Sequence, residues 1–244
     1  MRSFLALLAA VLYLILTMPV LLVLWIVGKF NPKTRDVCSL RMVRWIFRVI
    51  ARIAGTKVTV LGEEHVPKDR AVLYILNHRS IFDIVLTYAR CPGCTGYIAK
   101  KELAKIPLLN IWMKWIYCLF LDRTDIREGL KTILTAIDYV KSGISIAIFP
   151  EGTRGRSADE TELLPFHEGS FKIATKTGCP IIPVCISHSS AIFEDHFPWL
   201  RPTHVVLEYG APIYPDELEK EDKKFIGKYV QNLMQRTLQK NKAL

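Results

Sequence analysis

Two short segments combine side chains that could accept a proton and bind an anion. Residues 77–83, the His–Asp loop, read Asn-His-Arg-Ser-Ile-Phe-Asp, and residues 149–154, the Glu–Arg turn, read Phe-Pro-Glu-Gly-Thr-Arg. Each follows or completes an apolar run typical of a buried strand, 72–76 and 145–149. Ligands of open α/β sheets bind beyond the carboxyl ends of strands, so both segments are predicted to lie at such a site.

His78 and Asp83 are candidates for a base and the carboxylate that orients it. We expect His78 on a loop after the strand and Asp83 on the first turn of the following helix, facing back toward that loop. A carboxylate there can hold the imidazole in one tautomer and stabilise the imidazolium. The alternative is a capping box formed by Ser80 and Asp83, and the two interpretations are compatible because capping would fix Asp83 in place.

The residues Glu151, Gly152, Thr153 and Arg154 form a turn with anion-binding character. Gly152 permits a close approach of backbone N–H groups, and the guanidinium of Arg154 can make a forked contact with phosphate. The alternative is an ordinary surface turn. The chain has no G-x-S-x-G, Walker A or G-x-G-x-x-G motif, and its other histidines lack zinc-ligand spacing, so no metal site is predicted.

The elements that must position these residues alternate along the chain. β-Branched runs predict strands, and periodic apolar residues predict helices after Asp125, over 169–177 and over 220–239. This alternation predicts an α/β fold with a mixed, largely parallel sheet flanked by helices. The strand candidates are 57–61, 72–76, 96–99, 118–121, 145–149, 181–186 and 204–209.

The N-terminal part of the chain is predicted to be a membrane anchor of two helices. Residues 4–27 carry no charge and would reach ~36 Å as a straight helix, against ~30 Å for a hydrocarbon core, although Pro19 favours a kink. Residues 40–53 then form a basic amphipathic helix, suited to the headgroups of an anionic leaflet. A cleaved signal peptide and a core-packing helix are the respective alternatives. We expect an anchor at 1–54 and a catalytic domain at 55–244.

The distribution of charge and the cysteine content indicate the cellular compartment and the kinds of partner that the protein has. The net charge of +10 is concentrated between Lys29 and Arg52, directly after the apolar stretch. This excess predicts a cell-membrane protein with its remaining chain on the cytoplasmic side. Nucleic acid is not expected as a partner, because the basic residues adjoin the apolar anchor instead of forming a separate patch. The six cysteines form no regular framework; Cys91 and Cys94 are interpreted as part of a turn, with a dithiol or zinc half-site as the alternative.

Taken in order, several sequence blocks resemble the 1-acylglycerol-3-phosphate acyltransferase family. The likeness covers about residues 57–210 and includes the His–Asp loop, the Glu–Arg turn and four further blocks: Lys-Lys-Glu-Leu at 100–103, Phe-Leu-Asp-Arg at 120–123, Leu-Pro-Phe at 164–166 with Gly169 and Phe171, and Pro-Ile-Ile-Pro-Val at 180–184. Two positions depart from the family pattern. Tyr117 stands where glycine is usual, and His167 stands where lysine is common.

The resemblance implies roles for individual residues. His78 would be the general base and Asp83 its orienting partner. Arg123 and the Glu–Arg turn would engage the acceptor phosphate, Lys100 would border the site, and the Pro-Ile-Ile-Pro segment would help shape the acyl-binding region. The departure at Tyr117 bears on packing near Arg123, and that at His167 bears on one anion contact.

The expected activity is transfer of a fatty acyl group to the sn-2 hydroxyl of lysophosphatidate, giving phosphatidic acid. The acyl donor would be the thioester of acyl-CoA or of acyl carrier protein, with no other cofactor. One alternative is an acceptor such as glycerol-3-phosphate or another lysophospholipid. The other is a non-catalytic membrane lipid-binding protein, which predicts a damaged His–Asp loop or Glu–Arg turn, whereas both are intact.

Overall fold

The structure, a computed structural model, describes residues 1–122 and 125–243. Within these residues seven strands form one sheet, and all seven correspond to runs predicted from the sequence. The strands are β1 (Lys57–Leu61), β2 (Leu73–Leu76), β3 (Thr95–Lys100), β4 (Leu119–Leu121), β5 (Ser145–Ile148), β6 (Ile181–Ser187) and β7 (His204–Tyr209).

The sheet is mixed and largely parallel, as predicted. Its strand order is β1-β7-β6-β2-β5-β3-β4. The strands from β6 to β4 in this order all pair in parallel, β7 is antiparallel to β6, and β1 is parallel to β7. The carboxyl ends of the five parallel strands therefore lie at one edge, which is where the His–Asp loop and the Glu–Arg turn follow β2 and β5.

Helices cover both faces of the sheet, so its central strands are apolar on both sides. In β2, Tyr74 and Leu76 contact one buried cluster, while Leu73 and Ile75 contact the other. Burial on both faces explains why this strand reads as a continuous apolar run rather than an alternating one. The helices are α1 (Arg2–Leu16), α2 (Met18–Phe30), α3 (Pro32–Ala54), α4 (Phe82–Tyr88), α5 (Leu109–Trp115), α6 (Ile126–Lys141), α7 (Lys172–Thr177), α8 (Lys220–Lys224) and α9 (Ile226–Asn241).

Local signals explain where several helices begin and end. Asp125 caps α6, since its Oδ1 accepts hydrogen bonds from the N–H groups of Arg127 and Glu128. Gly178 ends α7 in the left-handed conformation. The C-terminal helix predicted over 220–239 is divided into α8 and α9 at Phe225, whose side chain is half exposed rather than on the buried face.

The apolar N-terminal stretch is two helices that meet at a bend of 49°. The break falls at Thr17, and Pro19 lies in the first turn of α2, where its missing N–H costs no hydrogen bond. In the described part of the chain, no single helix has the length and apolarity to cross a bilayer, whereas α1 and α2 together meet both criteria.

Helix α3 is longer than the predicted amphipathic helix. It begins at Pro32 because Asn31 Oδ1 accepts a hydrogen bond from the N–H of Thr34, a start signal that the prediction overlooked. Its apolar residues Leu40, Val43 and Ile46 are buried within the protein, as the core-packing alternative predicts. On the basic face, Arg44 and Arg48 donate hydrogen bonds to the carbonyl of Ala89 at the end of α4. That part of the face therefore contacts protein.

The division at residue 54 coincides with the end of α3. The buried residues of α1, α2 and α3 nevertheless belong to the same apolar cluster as Tyr74, Leu76 and Tyr97 of the sheet. The N-terminal helices therefore share a buried core with the sheet, and the proposed two-domain division stays a prediction.

Candidate active site

The His–Asp loop and the Glu–Arg turn lie side by side at the carboxyl edge of the sheet. Strands β2 and β5 pair in parallel register, with Ile75 opposite Ile148, so the chain leaves both strands at the same level. The carbonyl of His78 then accepts a hydrogen bond of 2.8 Å from the N–H of Gly155. The two segments that the sequence singles out thus meet at one edge of the sheet.

The predicted contact between His78 and Asp83 is confirmed. Oδ2 of Asp83 lies 2.9 Å from Nδ1 of His78. An ionised carboxylate only accepts hydrogen bonds, so this contact assigns the ring proton to Nδ1 and the lone pair to Nε2. Nε2 is therefore the atom that can accept a proton from a bound alcohol.

Asp83 is held in a single orientation by the loop that it closes. The residue is fully buried, and Oδ2 also accepts hydrogen bonds from the N–H groups of Arg79 at 2.7 Å and Ser80 at 2.8 Å. The hydroxyl of Ser80 in turn accepts a hydrogen bond from the N–H of Phe82 at 3.0 Å. The capping and orienting interpretations therefore hold together, because the same carboxylate oxygen serves the loop backbone and the imidazole.

Two contacts that the sequence analysis did not identify support the histidine. The ring of Phe149 stacks on the imidazole of His78, with centroids 4.2 Å apart. The side chain of Asn77 both donates to the carbonyl of Ile186 at 2.9 Å and accepts from its N–H at 2.8 Å, so it continues the pairing of β2 with β6. The loop therefore starts from a fixed point on the sheet.

Glu151 faces the protein instead of a ligand. Its two carboxylate oxygens accept hydrogen bonds from the N–H groups of His78 at 2.8 Å and Leu164 at 2.9 Å. Burial raises the pKa of Glu151, an effect that these two backbone donors oppose. The expectation that Glu151 engages a phosphate with the rest of the turn does not fit this geometry, since its oxygens are occupied and repel an anion. It braces the backbone of His78.

Gly152 needs to be a glycine for two reasons. Its φ of +69° is left-handed, and an added Cβ would lie 3.0 Å from Nε2 of His167. This distance also locates the histidine that replaces the common lysine, because the imidazole of His167 lies directly beside the turn. Thr153 is exposed next to Gly152.

Arg154 is half exposed and makes one ion pair. Its Nη1 donates a hydrogen bond of 2.7 Å to Oε1 of Glu194, which lies between β6 and β7. Glu194 belongs to no block that the sequence analysis recognised, and only the fold brings it to the site. A charged residue at the carboxyl edge of β6 was the one available signal.

The structure describes one of the two remaining predicted site residues. Lys100 is the exposed last residue of β3, at the same edge as the two loops. Its neighbour Lys101 pairs with Asp122 at 2.5 Å. Arg123 lies outside the described residues.

The unusual Tyr117 keeps the backbone conformation that a glycine would adopt. Its φ is +63°, in the left-handed region. The phenol hydroxyl donates a hydrogen bond to Oδ2 of Asp36 in α3. The side chain at this position thus connects the segment before β4 to the N-terminal helices.

Cysteines and metal-ligand groups add no second candidate site. Over residues 1–122 and 125–243, no group of three or more His, Cys, Asp or Glu side chains could hold a metal ion. All six cysteines are free thiols, and burial raises the pKa of Cys91 to about 11, which disfavours its reactive thiolate.

Comparison with known proteins identifies close relatives of this fold and sequence. A family model described as Acyltransferase matches residues 57–187. The 1-acyl-sn-glycerol-3-phosphate acyltransferase of Saccharomyces cerevisiae is 30% identical over 233 residues, covering 91% of this chain and 75% of the yeast protein. The Borreliella burgdorferi protein of the same name is 35% identical over 158 residues, or 64% of this chain and 61% of that protein.

A solved structure resembles the whole chain. The crystal structure of the 1-acyl-sn-glycerophosphate (LPA) acyltransferase PlsC from Thermotoga maritima superimposes with a TM-score of 0.75 and 25% sequence identity, covering 100% of both chains. The likeness therefore includes the N-terminal helices as well as the sheet.

Proposed function

The chain belongs to the 1-acyl-sn-glycerol-3-phosphate acyltransferase family, and we propose that it transfers a fatty acyl group from an acyl thioester to the sn-2 hydroxyl of 1-acylglycerol-3-phosphate. The product is phosphatidic acid. The observation that carries the proposal is the meeting of the His78–Asp83 pair, 2.9 Å apart, with the Arg154-bearing turn at one edge of the sheet.

His78 acts as the general base in this proposal. Its Nε2 takes the proton of the sn-2 hydroxyl while that oxygen attacks the thioester carbonyl carbon. The tetrahedral intermediate collapses, the carbon–sulfur bond breaks, and the imidazolium returns the proton to the leaving thiolate. One ester and one free thiol result, so no covalent enzyme intermediate is formed.

Asp83 orients the imidazole and stabilises its charged form. The carboxylate fixes the tautomer before proton transfer and faces the imidazolium after it. Because Asp83 is buried and bonded to the loop backbone, it cannot rotate away as the charge develops. The arrangement is organised before the substrate binds, which lowers the cost of reaching the transition state.

The acceptor phosphate is bound by the exposed part of the Glu–Arg turn. Arg154 supplies a forked donor, and the backbone at Gly152 and Thr153 can approach the anion closely. Lys100 adds positive charge at the same edge, and Arg123 is proposed to contribute a further positive charge. Glu151 contributes indirectly, through the backbone of His78.

A cavity near the sheet, with Glu63, Glu64, Lys68 and Arg90 among its lining residues, is a candidate for the acyl chain through its apolar side. It has a volume of about 360 Å³, and Val184 of the Pro-Ile-Ile-Pro-Val segment lines it together with Leu76, Tyr97 and Tyr209. Tyr97 also contacts Phe149, the residue stacked on His78. These contacts support the implied role of that segment in acyl binding.

We propose membrane attachment through the N-terminal helices, with the active site on the cytoplasmic side of the cell membrane. Exposed apolar residues cover much of α1 and α2, among them Phe4, Leu7, Leu16, Leu22 and Trp25. An apolar surface of this extent is typical of a membrane or protein contact. The exposed basic residues of α3, such as Arg41 and Arg52, suit anionic headgroups. A bilayer-attached enzyme would meet its lipid acceptor without extracting it into water.

The test is a transfer assay on the purified protein in detergent. A radiolabelled acyl-CoA or acyl carrier protein thioester is offered with lysophosphatidate, glycerol-3-phosphate, lysophosphatidylcholine or lysophosphatidylethanolamine. The expected result is labelled phosphatidic acid from lysophosphatidate, with a kcat/KM at least ~10-fold above that for each other acceptor. Preferred use of another acceptor would replace the substrate assignment, and no transfer to any of them would contradict the proposal.

A further inference from the structure

Glu194 occupies a position that connects the two parts of the site. It lies in a short helical turn, Glu194–His196, in the segment between β6 and β7. Its Oε1 accepts two hydrogen bonds, from Nη1 of Arg154 at 2.7 Å and from the N–H of Ile81 at 2.9 Å. Ile81 belongs to the His–Asp loop and Arg154 to the Glu–Arg turn, so a single oxygen joins both segments.

The environment of Glu194 favours a fixed carboxylate. Its side chain is only 21% exposed, and its other oxygen, Oε2, is buried. A carboxylate shielded from water binds a guanidinium more strongly than an exposed one does, because less solvent competes for the contact. The guanidinium of Arg154, which is half exposed, is thus held in place through Nη1.

The ion pair uses only part of the guanidinium. In the described ranges, the one hydrogen bond of Arg154 is donated by Nη1, whereas a guanidinium carries donors on all three nitrogens. A phosphate can bind the other donors without displacing Glu194. The geometry is that of an oriented arginine, with one nitrogen anchored and the remaining fork available to an anion.

We infer that Glu194 is a positioning residue for the acceptor: it holds Arg154 in place to bind the phosphate and fixes its distance from the His–Asp loop. The inference rests on the proposed function, since it assigns the phosphate to Arg154. The phosphate and the reacting hydroxyl belong to one molecule, so a fixed distance between the two segments places the hydroxyl at His78.

The test is a double-mutant cycle with steady-state kinetics for both substrates. Glu194→Ala should raise the acceptor KM ~10-fold through loss of a charge-assisted hydrogen bond, with the donor KM changed less than ~2-fold. Glu194→Gln keeps an oxygen acceptor for both donors and should recover most of the loss. In an Arg154→Ala background, Glu194→Ala should change the acceptor KM less than ~2-fold, because the residue acts through Arg154.

A matched control separates positioning from general stability. Glu208 of β7 forms a similar ion pair with Lys240. The side chain of Glu208 is 17% exposed and that of Glu194 is 21% exposed, and their basic partners are 59% and 49% exposed, respectively. Glu208→Ala should lower the thermal midpoint about as much as Glu194→Ala while leaving the acceptor KM unchanged. Equal KM increases in the two variants, or multiplicative effects of Glu194→Ala and Arg154→Ala, would overturn the inference. A lower acceptor KM in Glu194→Ala would also overturn it, since Glu194 would then compete with the phosphate.

Equilibrium binding of radiolabelled lysophosphatidate in detergent tests the inference independently of turnover. Binding should weaken in Glu194→Ala and recover in Glu194→Gln. If the wild-type protein binds lysophosphatidate in this pattern but does not acylate it, the proposed function fails and the role of Glu194 stands. Unchanged binding in Glu194→Ala would refute the role of Glu194 whatever the outcome of the transfer assay.

Discussion

The His–Asp loop and the Glu–Arg turn differ in how tightly their functional side chains are held. In the loop, Asp83 is fully buried and three donors converge on one of its oxygens. In the turn, Arg154 is half exposed and anchored at one nitrogen. Both follow neighbouring parallel strands, so the sheet places them equally well and the difference lies in their local contacts.

This difference matches what each segment is proposed to do. Proton transfer requires donor and acceptor atoms at a fixed distance, which favours a rigid, pre-oriented imidazole. Binding a lipid phosphate requires donors that remain accessible to an incoming anion. The Glu–Arg turn contains one residue for each requirement. Glu151 holds the backbone of His78 in place, and Arg154 is exposed to solvent, where an anion can reach it.

The largest effect is expected in the His–Asp loop, the more tightly held of the two segments. His78→Ala should lower kcat by ~10²–10⁴-fold, because it removes the only proposed proton acceptor. The thermal midpoint and the acceptor KM should change little. The measurement is steady-state transfer to lysophosphatidate, with His204→Ala, an exposed histidine on β7, as the control. Retention of full activity by His78→Ala would end its assignment as the base.

Asp83→Asn tests whether orientation of the imidazole matters as much as its presence. The amide oxygen can accept from the same three donors, but asparagine lacks the negative charge that stabilises the imidazolium, and its NH2 group would be buried at the position of Oδ1, which has no hydrogen-bond partner among the described residues. We expect kcat to fall by ~10²–10³-fold with the acceptor KM within about 3-fold of wild type. Circular dichroism and thermal melting would verify the fold, and a loss confined to KM would assign Asp83 to binding instead.

In the more exposed Glu–Arg turn, Arg154→Ala should weaken binding of the acceptor and leave the rate of acyl transfer nearly unchanged. Loss of a charge-assisted contact to phosphate should raise the acceptor KM by ~10–30-fold, while the donor KM stays within about 2-fold. Arg154→Lys should recover only part of this loss, since lysine lacks the planar fork. Arg156→Ala, which removes a nearby exposed charge, is the control; the same increase in that variant would indicate nonspecific electrostatic attraction.

Gly152→Ala is expected to disturb the turn by a smaller amount. The left-handed conformation costs an alanine about 1–2 kcal/mol, and the added carbon meets the ring of His167. Gly143→Ala has a similar φ of +88° with nothing within 4 Å of the added carbon, so it carries the strain alone. Thermal melting should show a loss in both variants, the larger one in Gly152→Ala because of the added contact, and only Gly152→Ala should raise the acceptor KM several-fold. An unchanged KM would separate the turn from the acceptor.

The smallest effect concerns the pH dependence of stability at Glu151. Burial raises the pKa of this carboxyl, so the stability contributed by its protonated form is fully present below the ordinary glutamate pKa and is lost as pH rises through the raised value. Glu151→Gln does not titrate. Between about pH 4 and pH 7, the thermal midpoint of wild type relative to Glu151→Gln should therefore fall by a few degrees. A rising difference would contradict the raised pKa.

The sequence predicts the sheet and the His78–Asp83 contact well because both depend on local patterns. Apolar runs bounded by turn residues mark all seven strands, and His78 and Asp83 lie five positions apart on one loop. Helix boundaries that depend on capping, such as Asp125, are predicted for the same reason. The start of α3 is also marked locally, by the Asn31 cap and the proline that follows it.

The rest of the site depends on contacts between distant parts of the chain. Glu194 is 40 positions from Arg154, and its charge in the segment after β6 does not by itself identify Arg154 as its partner. The amide of Asn77 bonds to a backbone group 109 positions away. Glu151 stands in a recognisable turn, but only the fold shows that its oxygens face the His78 and Leu164 backbones. Sequence patterns identify chemical types here, whereas the direction of each side chain requires the fold.

The most direct test of the division between the two segments is equilibrium binding of lysophosphatidate to wild type, His78→Ala and Arg154→Ala in one detergent. We predict that His78→Ala binds within about 3-fold of wild type while catalysis is lost, and that Arg154→Ala binds ~10-fold more weakly. Weak binding by His78→Ala, or wild-type affinity in Arg154→Ala, would contradict the assignment of proton transfer to one segment and phosphate binding to the other.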